Sequence, residues 1–489
     1  MISSDSAPGA PVSRRQFLNL FAAVFLPMFM AAVDQTLLAT ATPAIAASLG
    51  GLRDTSWIAV AYLLASAIIV PVYGRMGDEH GRRRFLLVAL GVFSLGSLAC
   101  GAAQSLPQLA AARVLQGLGG GGLMMLSQAL IGELVAPRER ARFQGYFAIV
   151  FTTASIAGPV IGGVVVSQFS WRWLFFANLP LAAFAAWRLC RLHNVDAHHR
   201  PALGRDPAGL ALFALGALSG LFWLTAVGHH FGWRSAESAA LLAVSLAALG
   251  ALAWHEARHA SPFLPVDLLR ERVIRRSVVL VTLFAACMFA MVFFLPIYLQ
   301  LGHRVSAGVS GLLLLPLTAG MVIASIASSR IVARTGEPKR VPVIGMSASS
   351  VALLLLGLLP GNAPLVIALG FATGLGFGTV MPTNQMVVQT LAGRARLGAV
   401  TAMVSLARSV GASLGAALFG ALAFGLMPDA ESAAALLDTA SSADRSGLLH
   451  AFHHAFLFAS AIAAAAALVA SSIPRVRLWE SASPRLHPT

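Results

Sequence analysis

Gly74-Arg75-Met76-Gly77-Asp78-Glu79-His80-Gly81-Arg82-Arg83-Arg84 is a charged island between two long apolar runs, and its reading decides the organisation of the chain. A second island, Ser329-Arg330-Ile331-Val332-Ala333-Arg334-Thr335-Gly336-Glu337-Pro338-Lys339, repeats its frame. The second-place arginine, the eighth-place glycine and the basic ending align, while Asp78 becomes Ala333. Each island follows an apolar run, the second and the tenth, so eight helices separate the copies. That spacing suits two six-helix halves with two helices inserted between them, a parallel-repeat plan used by transporters that bind substrate between their halves.

Outward from the islands, fourteen apolar runs recur: 18–41, 57–73, 85–103, 108–134, 145–166, 175–190, 208–227, 239–254, 277–299, 311–331, 343–359, 365–391, 400–424 and 452–471. Most reach the ~20 residues that a spanning helix needs. Composition agrees: 57% of the 489 residues are hydrophobic and 11% charged, against about 25% charged in soluble domains. So little polar surface cannot cover a soluble core of this size, and much of the surface must face lipid. The expected fold class is an all-α polytopic membrane protein. Its divisions are an N-terminal bundle over 1–200, two linking helices over 201–262 and a C-terminal bundle over 263–489.

The net charge is +15, from 34 basic and 19 acidic residues. Nucleic-acid binding would need a basic patch on a folded polar surface, whereas these arginines sit in short gaps between apolar runs. With fourteen spans, 27 basic residues fall in loops assigned to the cytoplasm. The outer loops hold Arg53, Arg172, Arg234, Arg304 and Arg445, and two more, Arg113 and Arg408, lie within spans. This is the positive-inside pattern, with both termini cytoplasmic and the inner membrane as the expected location. Arg14 and Arg15 resemble a twin-arginine signal, but the many later spans make them an orientation anchor. Cys100, Cys190 and Cys287 lack metal-ligand spacing and read as packing residues.

The first island matches glycine-x-x-x-aspartate-x-x-glycine-arginine-arginine/lysine, and on these residues the chain resembles the major facilitator superfamily, specifically its fourteen-helix drug:proton antiporter branch. The resemblance covers essentially the whole chain. Physically, the glycines permit a tight turn at the membrane face, and Asp78 can pair with cations or cap a helix start. The resemblance implies a gating loop built from Gly74, Asp78, Gly81, Arg82 and Arg83. On their own, the arginines could equally be orientation charges.

The first run contains Val33-Asp34-Gln35-Thr36, similar to the branch's aspartate-x-threonine motif, with Ala39 where the family has asparagine. An intramembrane acid costs about 2.5–3.5 kcal/mol on insertion scales and needs a partner, a cavity or a proton. The fourth run carries Arg113-Val114-Leu115-Gln116-Gly117, similar to the family's arginine-x-x-glutamine-glycine motif. Asp34 and Arg113 are the expected proton-coupling pair; a permanent structural ion pair is the alternative. Gln35, Thr36, Gln116, Gln389 and Arg408 are expected to line a substrate cavity, polar groups within spans commonly facing one. The fifth run holds Gly158-Pro159-Val160-Ile161-Gly162-Gly163, which closely matches the branch's antiporter motif, although Ala154 replaces its first glycine. The resemblance thereby implies exchange and export.

No P-loop accompanies Lys339, the one lysine in the chain, so an ion gradient is the expected energy source. Gly411-Ala412-Ser413-Leu414-Gly415 fits a hydrolase pattern, but it lies inside an apolar run and reads better as a helix-packing face. Gly308-Val309-Ser310-Gly311, with His450, His453 or His454, is a weaker hydrolase candidate. The chain is not expected to be an enzyme or to hold a metal or cofactor. Protons, the bilayer and small molecules are its expected partners, with a periplasmic adaptor left open and proton-coupled import kept as the alternative to export. One deep acid facing Arg113 and Arg408 suits neutral, monocationic or weakly anionic amphipathic substrates better than dications.

Overall fold

The computed structural model describes residues 14–49, 56–134, 168–192, 206–226, 231–232, 234–259, 266–303, 312–359, 363–393, 396–424 and 442–476, and isolated positions within 146–166. Its elements are helices. In chain order they are α1 (Arg14–Leu49), α2 (Ser56–His80), α3 (Arg82–Ala102), α4 (Leu106–Leu134), α5 (Arg172–Phe176), α6 (Asn178–Cys190), α7 (Pro207–Ala226) and α8 (Ala236–Glu256). Then follow α9 (Arg272–His303), α10 (Leu315–Thr335), α11 (Arg340–Leu358), α12 (Ala363–Phe377), α13 (Val380–Ala392), α14 (Leu397–Phe424) and α15 (Ser442–Ser472).

Eleven helices among the described residues are long and apolar enough to cross a membrane, and two shorter apolar stretches, Ala23–Gln35 and Pro207–Trp223, lie in α1 and α7. The remaining expected span, 145–166, falls largely outside the described residues, so fourteen spans fit the helices seen. Large apolar side chains such as Leu95, Ile344, Val351 and Leu468 point outward. That is stable only where the surrounding medium is itself apolar, and there the helix satisfies its own backbone.

Packing divides the chain into two compact units. One comprises Met1–Gly220, Ala243–Leu268 and Gln389–Leu406; the other comprises Leu221–Leu242, Leu269–Val388 and Ala407–Thr489. In the first, α4 is the central helix and packs on α1, α2 and α3. Its most apolar window is 78% buried, against 22% for α8. The cause is the run Gly117–Gly122. A Cβ at Gly121 would come 2.8 Å from Ile69 of α2, and one at Gly122 would come 2.7 Å from Ala89 of α3. Glycines on both faces let two neighbours approach α4 at backbone distance, as in other small-residue interfaces in membranes. In the second unit, α15 packs on α9 and α11, and α12 on α10 and α11.

The first island shows where its glycines act. A turn was expected of them together, but α2 runs unbroken to His80 and carries Gly74 and Gly77 within it. Only Gly81 turns, at φ 96°, a backbone region that side-chain-bearing residues avoid. Gly74 instead permits close contact, because a Cβ there would come 2.9 Å from the Gly398 carbonyl and from Ala402.

Candidate functional site

Within the first unit, α1, α3 and α4 bring a polar cluster into an otherwise apolar interior. Asp34 is 4% exposed, Arg113 1% and Gln116 fully buried. Arg113 Nη1 donates to Asp34 Oδ2 at 2.5 Å and to Gln116 Oε1 at 2.7 Å. Gln116 Nε2 donates to Asp34 Oδ1 at 2.8 Å and to Ser97 Oγ at 2.8 Å. Arg113 Nε donates to the Ile58 carbonyl at 3.1 Å, and its guanidinium lies 4.3 Å from the Tyr62 ring centroid. The cluster is net neutral, and the ion pair is reinforced on both carboxylate oxygens.

The local sequence explains this geometry. Arg113 and Gln116 stand three apart on α4, so they share a face and reach the same carboxylate. Gly96 of α3 lies directly against the Gln116 backbone, leaving no room for a Cβ, and that contact carries Ser97 to the glutamine amide. Removing one member of such a buried pair strands the other charge, at a cost of about 3–5 kcal/mol.

A second charged assembly closes the end of α2. Asp78 accepts from Arg82 Nη2 at 2.5 Å, and Arg82 Nη1 donates to Glu133 Oε2 at 2.6 Å, at the end of α4. Asp78 also accepts the backbone N–H of Gly398 at 2.9 Å and of Ala399 at 3.0 Å. These are first-turn donors of α14, which the helix cannot satisfy itself, and a carboxylate there also meets the positive end of the helix dipole. Arg83 donates to the Leu189 and Cys190 carbonyls, each at 2.9 Å, and so caps the end of α6. Five helices, α2, α3, α4, α6 and α14, are thus tied at one loop.

The other expected residues are spread more widely. Gln35 is exposed, and the Thr36 side chain lies outside the described residues. Gln116, expected to line a cavity, is instead taken into the buried cluster. Gln389 is 1% exposed and donates to Thr401 Oγ1 at 3.3 Å. Arg408 is half-buried on α14, in the second unit. Gly158 and Gly162 are helical and buried, whereas Pro159 and Gly163 lie outside the described residues, as do 308–311 of the weaker hydrolase candidate. A Cβ at Gly411 would come 2.9 Å from Ala285, and one at Gly415 would come 2.6 Å from the Ala286 backbone; this is a packing face around Ser413.

Sequence reading missed Ser97, Tyr62 and Glu133, and gave Asn178, quoted only within a motif, no place in the site. Asn178 Nδ2 donates to Ser97 Oγ at 3.3 Å, extending the cluster to α6. Asn178 and Glu133 could have been found as polar residues at the boundaries of apolar runs. Serine and tyrosine give no such signal.

The pattern of the Major Facilitator Superfamily matches residues 24–416 and, overlapping, 318–484. An uncharacterized MFS-type transporter of Mycobacterium tuberculosis is 36% identical over 411 residues, covering 82% of this chain and 59% of that protein; the match thus spans less than two thirds of that relative. The multidrug transporter protein MdtP of Bacillus subtilis is 32% identical over 405 residues, covering 82% of this chain and 74% of that protein. Among solved structures, the human organic anion transporter MFSD10 aligns with a TM-score of 0.63 at 16% identity, over 91% of this chain and 99% of that one. The proton:xylose symporter XylE aligns with a TM-score of 0.65 at 13% identity, over 94% and 96%. At these identities the two structures speak for the fold alone.

Proposed function

Because this chain belongs to the Major Facilitator Superfamily, we propose that it is a proton-driven exporter of small amphipathic molecules, working by alternating access across the cytoplasmic membrane. The observation that carries this reading is the buried Asp34–Arg113 pair bridged by Gln116. Protonation of Asp34 would release Arg113, and the pair would re-form when the proton leaves on the other side. The fold is shared with a proton:xylose symporter and an organic anion transporter, so it does not choose a direction. Export draws its support from the residues 158–163 and from relatives named as a multidrug transporter and a multidrug resistance protein. The six-two-six division, cytoplasmic termini and a periplasmic adaptor belong to the same proposal.

Everted membrane vesicles given a proton gradient should accumulate a fluorescent amphipathic cation such as ethidium. Asp34→Asn keeps the shape and one carbonyl acceptor for Gln116 but cannot cycle a proton. It should abolish gradient-driven accumulation while leaving downhill exchange of the dye measurable. Undiminished gradient-driven accumulation by Asp34→Asn would remove Asp34 from coupling, and accumulation by right-side-out vesicles instead would reverse the direction.

A further inference from the structure

The hairpin-like ends of α7 and α8 hold a group of side chains that the transport reading does not use. Asp206 stands immediately before α7, His255 lies in the last turn of α8, and His259 follows one turn on. One ligand atom from each lies within 4.8 Å of the other two. All three belong to the first unit. We propose that Asp206, His255 and His259 bind one divalent transition-metal ion, of which Zn²⁺ is the type, and that the ion fastens the start of α7 to the end of α8.

The backbone sets the two imidazoles side by side. The N–H of His259 donates to the His255 carbonyl at 2.9 Å, so the helical turn continues past Glu256. Residues four apart then share a face, and the two ring centroids are 5.0 Å apart. His255 Nε2 is 2.8 Å from Asp206 Oδ1. A His–Asp pair alone would account for that contact, but it needs no second imidazole beside it.

The carboxylate is built in rather than displayed. The Asp206 side chain is 1% exposed and that of His255 23%, so the acid is held inside while the imidazole keeps a route to solvent. Asp206 Oδ1 also accepts the Gly209 N–H at 2.8 Å, the N-cap arrangement, with Pro207 as the first helical residue. A Cβ at Gly209 would collide with Asp206 Oδ2, so the glycine makes the space the carboxylate occupies. The capping bond is the kind of outer contact that orients a metal ligand. Arg258, which shares the turn, stacks 4.2 Å over the Trp254 ring.

Two imidazoles and one carboxylate form a borderline donor set suited to Zn²⁺, with water completing a tetrahedron. Ligand bonds of about 2.0–2.2 Å require the three atoms to close in from their present spread, so the ion would draw the two helix ends together. Cysteine spacing led the sequence reading to expect no metal. The His-x-x-x-His pair sits at the end of an apolar run, and its acid lies about fifty residues earlier in the chain.

The test uses the full-length protein in detergent, stripped with a chelator and titrated with ZnCl₂ alone, with bound metal measured after gel filtration. The expected result is one tightly held zinc per chain. His259→Asn, which leaves the Asp206–His255 contact and the α7 cap in place, should weaken binding by about 10–100-fold or more, and Gly209→Ala by about tenfold. His193, His198 and His199 also lie before Asp206 in the chain, and replacing all three by Asn should leave the tight zinc in place. Zinc should raise the melting temperature of the wild type but not of His259→Asn. No stoichiometric zinc in the wild type, unchanged affinity in His259→Asn, or loss in the triple variant instead would each overturn the proposal. Because the readout is metal content, it stands apart from the transport assays.

Discussion

The two charged islands both turn at a glycine, to different ends. Each ends a helix at an eighth-place glycine with positive φ, 96° at Gly81 and 68° at Gly336. The repeat seen in the sequence extends to the sign of φ and stops there, since ψ is 124° at Gly81 and 1°, the left-handed cap, at Gly336. Their charges diverge. In the first island, the fifth residue is Asp78, which holds two first-turn donors of α14 and Arg82. In the second, that place is Ala333, the place of Arg82 is Glu337, and that of Arg83 is Pro338. An ion pair there, Glu337–Arg340, spans 3.4 Å with both side chains well exposed. Turn geometry serves folding in both halves, and a charged latch has been built on one of them.

Breaking the latch should give the largest effect. Asp78→Ala removes the acceptor of two backbone donors and of Arg82, each hydrogen bond to a charged group being worth about 1.5–3 kcal/mol. Dye efflux per inserted protein should fall at least about tenfold, since ~1.4 kcal/mol is a factor of ten in rate. Ala333→Asp, the reciprocal change, should stay near wild type in the same assay. Equal losses from the two would mean that the difference between the islands has no functional content. Asp78→Asn should fall between, since its amide oxygen still accepts from α14 but no longer pairs as an ion with Arg82.

A smaller effect should be shared by both islands. Gly81→Ala and Gly336→Ala each force a side-chain-bearing residue into positive φ, at about 1–2 kcal/mol for the left-handed Gly336 and about 1–3 kcal/mol for Gly81, which lies outside that region. Both should lower the unfolding temperature in detergent. A shift confined to Gly81 would show that the second turn is relaxed at little cost, and the shared-turn half of the comparison would fail. Arg83→Ala removes two caps from the end of α6 and should cost about 1–2 kcal/mol, with no counterpart at Pro338.

These contrasts also mark what could be read in the chain beforehand. Apolar runs and arginine placement identify the spans because insertion into lipid penalises every exception. Asp34 and Arg113 stand out for the same reason, as charges where charge is expensive. Gly81 and Gly336 were visible as a repeated letter. The partners were not. Asp78 binds N–H groups 320 and 321 residues away, and a backbone donor has no residue type to betray it. Ser97 and Tyr62 cost little to place in a helix, so their entry into the Asp34 cluster leaves no compositional trace. Gln116 was visible as a polar residue, but whether it lines a cavity or braces a carboxylate depends on Gly96 standing opposite. That is a packing fact between two helices.

The smallest effect belongs to the second island and tests the comparison from its weak side. The Glu337–Arg340 pair has side-chain exposures of 37% and 72%. Water and salt screen such a pair, and holding two long side chains together costs entropy, so exposed pairs contribute about 0–1 kcal/mol. Glu337→Ala and Arg340→Ala should each move the unfolding temperature little and leave dye efflux within about twofold of wild type, ~0.4 kcal/mol being the equivalent free energy. If either variant instead cut efflux as Asp78→Ala does, while leaving stability unchanged, the second island would carry a latch of its own. The asymmetry between the two would then lie in the residues used and not in the role.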